Sequence, residues 1–400
     1  MRKTSGLDVH KDTVFCGIYD GKLQSEVKEF STTTVSIYSL GEHLQMQGVQ
    51  EVAIESTGIY WIPVWNILEE MGFSLMLVNP YLIKQMPGRK SDVKDAQWIA
   101  TLLHKGLVRG SLIPCQRIRE LRTYSRKYIK LQQKQASVMQ ELERTLEMCG
   151  IRITSLVSNI SSVSVRHIIE QTIEGEDDPL ELVKHIHGRI IKRQGRDKVI
   201  ESLTGFVMPH HRFVLEQALE EYDLLIMQSD RFLSKMKELC QLHYAQEFEL
   251  LQTMPGISEI SAMIIIAETG ADMKAFENSG KFTGWTGLRP RNDESAGKFK
   301  STATTKGNKY LRAILVQVAW AASRTKNSCF KEKFNKLSIR KPRKKALIAI
   351  ARKIGVVIYC ILDKKEPYNP SLLIVPQTEK VKNQVIYHKK ELERLEKILN

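Results

Sequence analysis

Asp92 and Asp95 lie three residues apart in Lys90-Ser-Asp-Val-Lys-Asp-Ala-Gln-Trp, downstream of two further acids, Asp8 and Glu55, that sit in strand-like settings. Trp98, Ile99, Leu102 and Leu103 recur after them at helical spacing, so Asp92 and Asp95 share one face of the first turns of a helix. Asp8 stands before the apolar run Thr13-Val-Phe-Cys-Gly-Ile-Tyr, and Glu55 ends Glu51-Val-Ala-Ile-Glu; both can lie at the edge of one sheet with the helix turned towards them. Four carboxylates at one point would bind divalent metal. Hard oxygen ligands suit magnesium or manganese, and two such ions about 3.5 to 4 Å apart clamp the attacking and leaving oxygens of a phosphodiester. The chemistry implied is phosphoryl transfer on nucleic acid. Either helix acid alone reads more readily as a cap that complements the helix dipole than as a ligand; the strand, strand, helix order of all four is what favours metal.

A second candidate lies far along the chain. Ser295 precedes Ala-Gly in the polar stretch Arg291-Asn-Asp-Glu-Ser-Ala-Gly-Lys-Phe-Lys-Ser-Thr-Ala-Thr-Thr-Lys-Gly-Asn-Lys-Tyr-Leu-Arg, which is expected to be a loop running into the apolar helix 311–322. Small neighbours leave a serine hydroxyl open to attack a phosphorus centre. Arg289, Arg291, Lys298 and Lys300 supply cations around it, with Lys306, Lys309 and Arg312 following. A serine in a basic loop also serves as a turn or phosphate-contacting residue. Residues 331–353 hold ten Lys or Arg and one acid; Arg340, Lys341, Arg343, Lys344 and Lys345 at their centre mark either a solvated face or a nucleic-acid groove.

The elements that would position these groups follow from periodicity. Residues 1–112 alternate strand and helix, with strands at 13–19, 51–55 and 73–78 and helices at 35–46, 62–71 and 92–105, which predicts an α/β domain. Residues 118–147 are rich in Arg, Lys, Gln, Glu and Leu without Gly or Pro, predicting a long helix of a coiled-coil arm. The stretch 213–242 is its antiparallel partner. The segment between them reads as helical and irregular. Its Glu176-Asp-Asp-Pro reads as a helix start, and the pairs His185/His187 and His210/His211 as structural or surface residues. From Leu250-Leu-Gln-Thr-Met-Pro-Gly-Ile-Ser-Glu-Ile-Ser-Ala an ordinary helical hairpin or a helix-hairpin-helix is expected, with Ser258 where the latter usually has its second glycine.

Bulk properties agree. The 400 residues suffice for two or three domains, and a formal charge of +15 favours a polyanionic partner. Six scattered cysteines without short pairing and ten histidines without matching spacing point away from zinc and from a disulfide framework, and towards the cytoplasm. The N-terminus lacks an apolar signal core. The longest apolar stretch, 346–362, is broken by Arg352 and Lys353, so a packed amphipathic helix is expected there and no membrane partner.

Taken in order, Leu7-Asp-Val-His-Lys-Asp, Ala53-Ile-Glu-Ser-Thr-Gly, Lys90-Ser-Asp-Val-Lys-Asp-Ala, Met254-Pro-Gly-Ile and Glu294-Ser-Ala-Gly-Lys through Lys306-Gly-Asn-Lys-Tyr-Leu-Arg resemble the transposases of the insertion sequence 110 family, relatives of the Piv invertases. The resemblance covers almost the whole chain, the arm least. It implies a RuvC-like (RNase H-type) domain at 1–112 whose Asp-Glu-Asp-Asp set is Asp8, Glu55, Asp92 and Asp95, holding Mg2+ (or Mn2+). It further implies a helical arm with an insertion at 113–246, a mostly α transposase domain at 247–366 with Ser295 as nucleophile, and a tail at 367–400. Members use a structured noncoding bridge RNA to pair with donor and target double-stranded DNA. They assemble as homo-tetramers, dimers of dimers, in which the acids of one protomer meet the serine of another and strands exchange through a covalent phosphoserine. The insertion at 150–240 is longer here than in compact members.

Overall fold

The computed structural model describes every residue other than 1, 23–25, 56, 57, 80–91, 109, 158, 159, 292, 296, 297, 302, 374–384, 387, 390 and 397–400; for 92–94, 293–295, 298–300, 372 and 373 it describes the backbone alone. Lys90 and Ser91 of the acidic motif and much of the expected tail therefore lie outside the described residues. The chain divides into two compact units, Met1–Pro114 and Cys115–Asn400.

The first unit runs β1 (Thr4–Val9), β2 (Thr13–Tyr19), β3 (Lys28–Ser31), α1 (Thr34–Met46), β4 (Glu51–Glu55), α2 (Trp61–Glu70), β5 (Ser74–Val78) and α3 (Asp92–His104). Its sheet has the order β3-β2-β1-β4-β5. The first three strands form an antiparallel meander, and β1, β4 and β5 are parallel. Asp8 was expected in a strand-like setting, though the extent of β1 was not given by the pattern, and β3 was not expected. Gly6 and Asp8 interrupt the apolar pattern of the first, and Lys28-Glu-Phe-Ser is a polar edge whose ladder to β2, not its side-chain pattern, makes it a strand.

The two faces of this sheet differ. Leu7, Val9, Val52 and Ile54 point into a core with Leu40 and Leu44 of α1 and Val64 and Leu68 of α2. The residues between them face α3, where Ala53 packs with Ile99 and Leu103. Gly6 and Gly17 are cross-strand partners on that side. A Cβ on Gly6 would stand 2.3 Å from the Ala96 carbonyl oxygen, and one on Gly17 2.8 Å from the Gln97 nitrogen, so the bare glycine pair lets the helix backbone lie directly on the sheet.

Among its described residues, the regular structure of the second unit is helical apart from one hairpin and an isolated bridge. α4 (Gln116–Met148) leads to α5 (Val163–Glu174), α6 (Pro179–Leu182), α7 (Gly188–Gln194) and α8 (Arg196–Leu203), and then α9 (Pro209–His243) returns along α4. The antiparallel register is marked by Cys115 near Tyr244, Tyr124 near Phe232, and Gln135 donating to the Ser229 hydroxyl at 2.9 Å. Leu131, Leu142 and Leu146 of α4 join Val165, Ile168, Val199, Leu203 and Leu215 in one core, so the intervening helices pack on the far end of the pair. Asp178 caps α6 by accepting from the Leu180 amide, and His187 caps α7 through Arg189.

The chain continues through α10 (Ala245–Gln252), α11 (Glu259–Thr269), α12 (Ser279–Trp285), the hairpin β6 (Asp293–Ser295) and β7 (Lys298–Ser301), α13 (Lys309–Ala322), α14 (Cys329–Arg340) and α15 (Arg343–Lys364). In the turn before α11, Gly256 has φ 91° and presses on the α13 backbone, while Ser258 caps α11 through the Ser261 amide; the serine is the helix's N-cap. α15 buries Ala346, Ile350, Ile354, Ile358 and Ile361, and among the described residues no helix is long and apolar enough to cross a membrane.

Candidate active site

β1 and β4 pair in parallel through Leu7 with Ile54, which leaves Asp8 and Glu55 as the next residue on each strand. They stand side by side on strands about 4.8 Å apart, on the face shared by Gly6 and Ala53, which is the face α3 covers. Both acids are nearly enclosed, at 4% and 9% exposure.

α3 runs antiparallel to β1. Thr4 donates its hydroxyl to the Ala100 carbonyl at 2.9 Å, and two residues on, Gly6 meets Ala96. Two strand residues rise about 6.6 Å and four helix residues about 6 Å, so one further step brings helix positions 92–95 to the level of Asp8. The positive end of the helix dipole points the same way. Asp95 is half-buried. Among the described residues no three His, Cys, Asp or Glu side chains stand close enough to hold a metal ion, and the Asp92 side chain lies outside the description. The donor set suits a divalent cation: two carboxylates taken out of water on adjacent strands repel one another, and a cation between them offsets that repulsion.

His10 was not singled out by its sequence context. It lies two residues beyond Asp8, where the strand alternation returns to the same face, and its Nε2 is 3.3 Å from Asp8 Oδ2. That i, i+2 spacing was the signal available.

Ser295 ends β6 and pairs with Lys298, and Glu294 pairs with Phe299. The segment expected as a loop is thus a two-stranded ladder. Its cause lies in the stems, where Arg291 N donates to Ala303 O, Thr305 N to Arg289 O and Asn308 N to Trp285 O, holding the two flanks in register. Gly307 allows this closure, since a Cβ there would lie 2.3 Å from the Gly287 nitrogen. Arg289, Arg291, Lys306 and Lys309 are exposed, and Arg312 is half-buried on the first turn of α13. The side chains of Lys298 and Lys300 lie outside the description. Arg340, Lys341, Arg343, Lys344 and Lys345 are all exposed where α14 passes into α15.

A buried ion network behind the hairpin escaped the sequence reading. Glu268, fully enclosed at the end of α11, accepts from Arg126 Nε at 2.8 Å and Nη2 at 2.9 Å and from Asn308 Nδ2 at 2.6 Å. Arg122 donates to the carbonyls of Ala267 and Glu268. Asn308 Oδ1 in turn caps α13 at Tyr310 and Leu311, so α4, α11 and the start of α13 are tied at one carboxylate. Nothing in the spacing of Arg122, Arg126, Glu268 and Asn308 announces that contact.

Residues 5–150 match the DEDD family profile described as "Transposase", and residues 248–335 match the one described as "Transposase IS116/IS110/IS902 family". A Sinorhizobium fredii (strain NBRC 101917 / NGR234) protein bearing a transposase name, y4pF/y4sB, is 29% identical over 142 residues, covering 33% of this chain and 35% of that protein. The chain thus spans about a third of the length of this curated relative. Two solved structures overlap the chain: T. thermophilus RuvC in complex with a Holliday junction substrate, with 13% identity, TM-score 0.24, and coverage of 28% of this chain and 100% of that one; and Thermus thermophilus RuvC alone, with 16% identity, TM-score 0.23, and coverage of 27% and 99%.

Proposed function

From the premise that this chain belongs to the IS116/IS110/IS902 family of transposases, we propose that it is a DNA recombinase that cuts and rejoins strands by metal-assisted attack of Ser295 on a phosphodiester. The observation that carries this reading is the adjacency of Asp8 and Glu55 on the face over which α3 brings positions 92–95. The strand order, an antiparallel meander continued by two parallel strands, supports a RuvC-like (RNase H-type) reading of the first unit.

Asp8, Glu55, Asp92 and Asp95 would hold Mg2+ or Mn2+, which when bound neutralises the scissile phosphate and lowers the pKa of an attacking hydroxyl. Ser295 Oγ then bonds to phosphorus as the bond to one strand's oxygen breaks, and the serine proton passes to that departing oxygen, which leaves as a hydroxyl end. A hydroxyl end of the exchanging strand reverses the step, returning the proton to Ser295. Because the phosphoserine conserves the phosphodiester bond energy, no high-energy cofactor is required. Arg289, Arg291, Lys298, Lys300, Lys306, Lys309 and Arg312, with the exposed cluster from Arg340 to Lys345, bind nucleic-acid phosphates. Guidance by a bridge RNA, assembly as a dimer of dimers with acids and serine from different protomers, and the division into arm, transposase domain and tail belong to the same reading.

Parallel assays of Asp8→Asn and Ser295→Ala test it. With donor and target DNA, the RNA made from the element's noncoding end, and Mg2+, both variants are expected to bind nucleic acid and neither to exchange strands. Cleavage by Ser295→Ala at the wild-type rate would instead assign the chain as a metal nuclease that does not use the serine.

A further inference from the structure

Beside the Glu268 network lies a cleft of about 410 Å3 between α4 and the start of α13. Arg122 and Arg126 line it from α4, Lys306 and Lys309 from the opposite side, and Trp285 and Tyr310 complete its walls. Four cations thus line one cleft, and the carboxylate that binds two of them, Glu268, is turned inward and fully enclosed.

The orientation of Arg126 is fixed. Both bonds from Arg126 to Glu268 come from Nε and Nη2, so the plane of its fork is set while Nη1 meets no acceptor among the described residues. The side chain remains 40% exposed. The guanidinium lies 4.6 Å from the centre of the Tyr310 ring and Lys309 Nζ 5.1 Å from it, so two like charges are held against one ring. α13 has no acid in its first turn; it begins with Lys309, at the positive end of its dipole. Held cations at a helix's positive end repel one another until an anion arrives, and a planar guanidinium with an open edge beside mobile ammonium groups matches a phosphate.

We propose that this cleft binds a backbone phosphodiester of nucleic acid, with Arg126, oriented by Glu268, forming the rigid wall and Lys306 and Lys309 the closing one. The proposal rests on the reading that the chain acts on nucleic acid, and adds an α4 contact to the serine unit's own cations.

The test is equilibrium binding of the full chain, by fluorescence anisotropy over a range of salt, to a mixed-sequence duplex DNA and to a hairpin RNA. Lys306→Ala/Lys309→Ala is expected to weaken binding about tenfold at moderate salt and to lower the slope of log K against log salt by about one to two for the duplex. Arg126→Lys, which keeps the charge facing Glu268 and loses the fork, is expected to weaken binding with little change in slope. Loss confined to one probe assigns the phosphate to DNA or to RNA; loss on both assigns it to either. Lys192→Ala/Lys198→Ala, which removes equal charge from exposed helix positions elsewhere, should leave both quantities near wild type. If the cleft variants bind both probes within about twofold of wild type, or if the control falls equally, the proposal is overturned. Failure of the wild-type chain to bind either probe would instead overturn the reading beneath it, and neither result depends on Ser295 chemistry.

Discussion

Asp8 differs from its chain neighbours in facing α3 from the end of a parallel pair, beside Glu55 and 3.3 Å from His10. Replacing one carboxylate oxygen by an amide keeps the shape and removes the charge. Asp8→Asn is therefore expected to reduce metal-dependent strand cleavage at least about 100-fold, which corresponds to about 2.7 kcal/mol of transition-state stabilisation. Its melting temperature should stay within a few degrees of wild type, as measured by calorimetry with Mg2+ present and absent. A second expectation concerns the thiols. Burial pushes Cys16 up to about 11 and Cys240 up to about 12, whereas Cys115 and Cys360 are exposed. A raised pKa means that the neutral thiol persists as pH rises, and the thiolate is the reactive form. Between pH 7 and 9, a thiol reagent should reach the exposed Cys115 and Cys360 and leave Cys16 and Cys240 unlabelled until the chain unfolds. Rapid labelling of Cys240 in the folded protein would contradict its placement.

At the scale of elements, the glycine pair decides where the acids can meet. Gly6→Ala puts a methyl group 2.3 Å from a backbone oxygen of α3, which neither backbone can yield cheaply. A destabilisation of about 2 to 4 kcal/mol is expected, in the range of severe core overpacking, together with loss of metal-dependent cleavage. Gly48→Ala has open space around its Cβ and pays only for φ 72°, about 1 kcal/mol, so denaturant unfolding of the two variants separates packing from backbone strain. These elements show what periodicity can and cannot carry. β2, β4 and α3 were legible because their apolar residues repeat at the strand or helix period. β1 was legible only as a strand-like setting for Asp8, because the glycine that admits α3 and the aspartate that faces it occupy the positions where apolar residues would have marked the strand's extent. The Ser295 hairpin was hidden for a related reason, since its ladder is enforced by stems at 285–291 and 303–308 and not by its own side chains. Glu268 and its arginines lie more than 140 residues apart in sequence, and only the packing of α4 on α11 joins them.

For the whole molecule, a formal charge of +15 over 400 residues was visible at once and favours a polyanionic partner; under the proposed function, association is driven largely by phosphate neutralisation. Binding to duplex DNA is expected to weaken at least about 100-fold between about 50 and 200 mM salt, as several ion contacts require. A salt-independent affinity would mean that the cations at 289–312 and 340–345 are a solvated surface. In the proposed reaction the acids Asp8, Glu55, Asp92 and Asp95 and the hydroxyl of Ser295 act on the same phosphodiester. Trypsin cuts after Arg291 and Lys298, so a covalent intermediate would leave its nucleotide on the seven-residue peptide Asn-Asp-Glu-Ser-Ala-Gly-Lys. Mass spectrometry of the adduct trapped with Mg2+ is the most direct measurement: a nucleotide carried by Ser295 in that peptide, absent when the metal is chelated or Asp8 is replaced, is the expected result, and strand exchange that proceeds with no nucleotide on that peptide would contradict it.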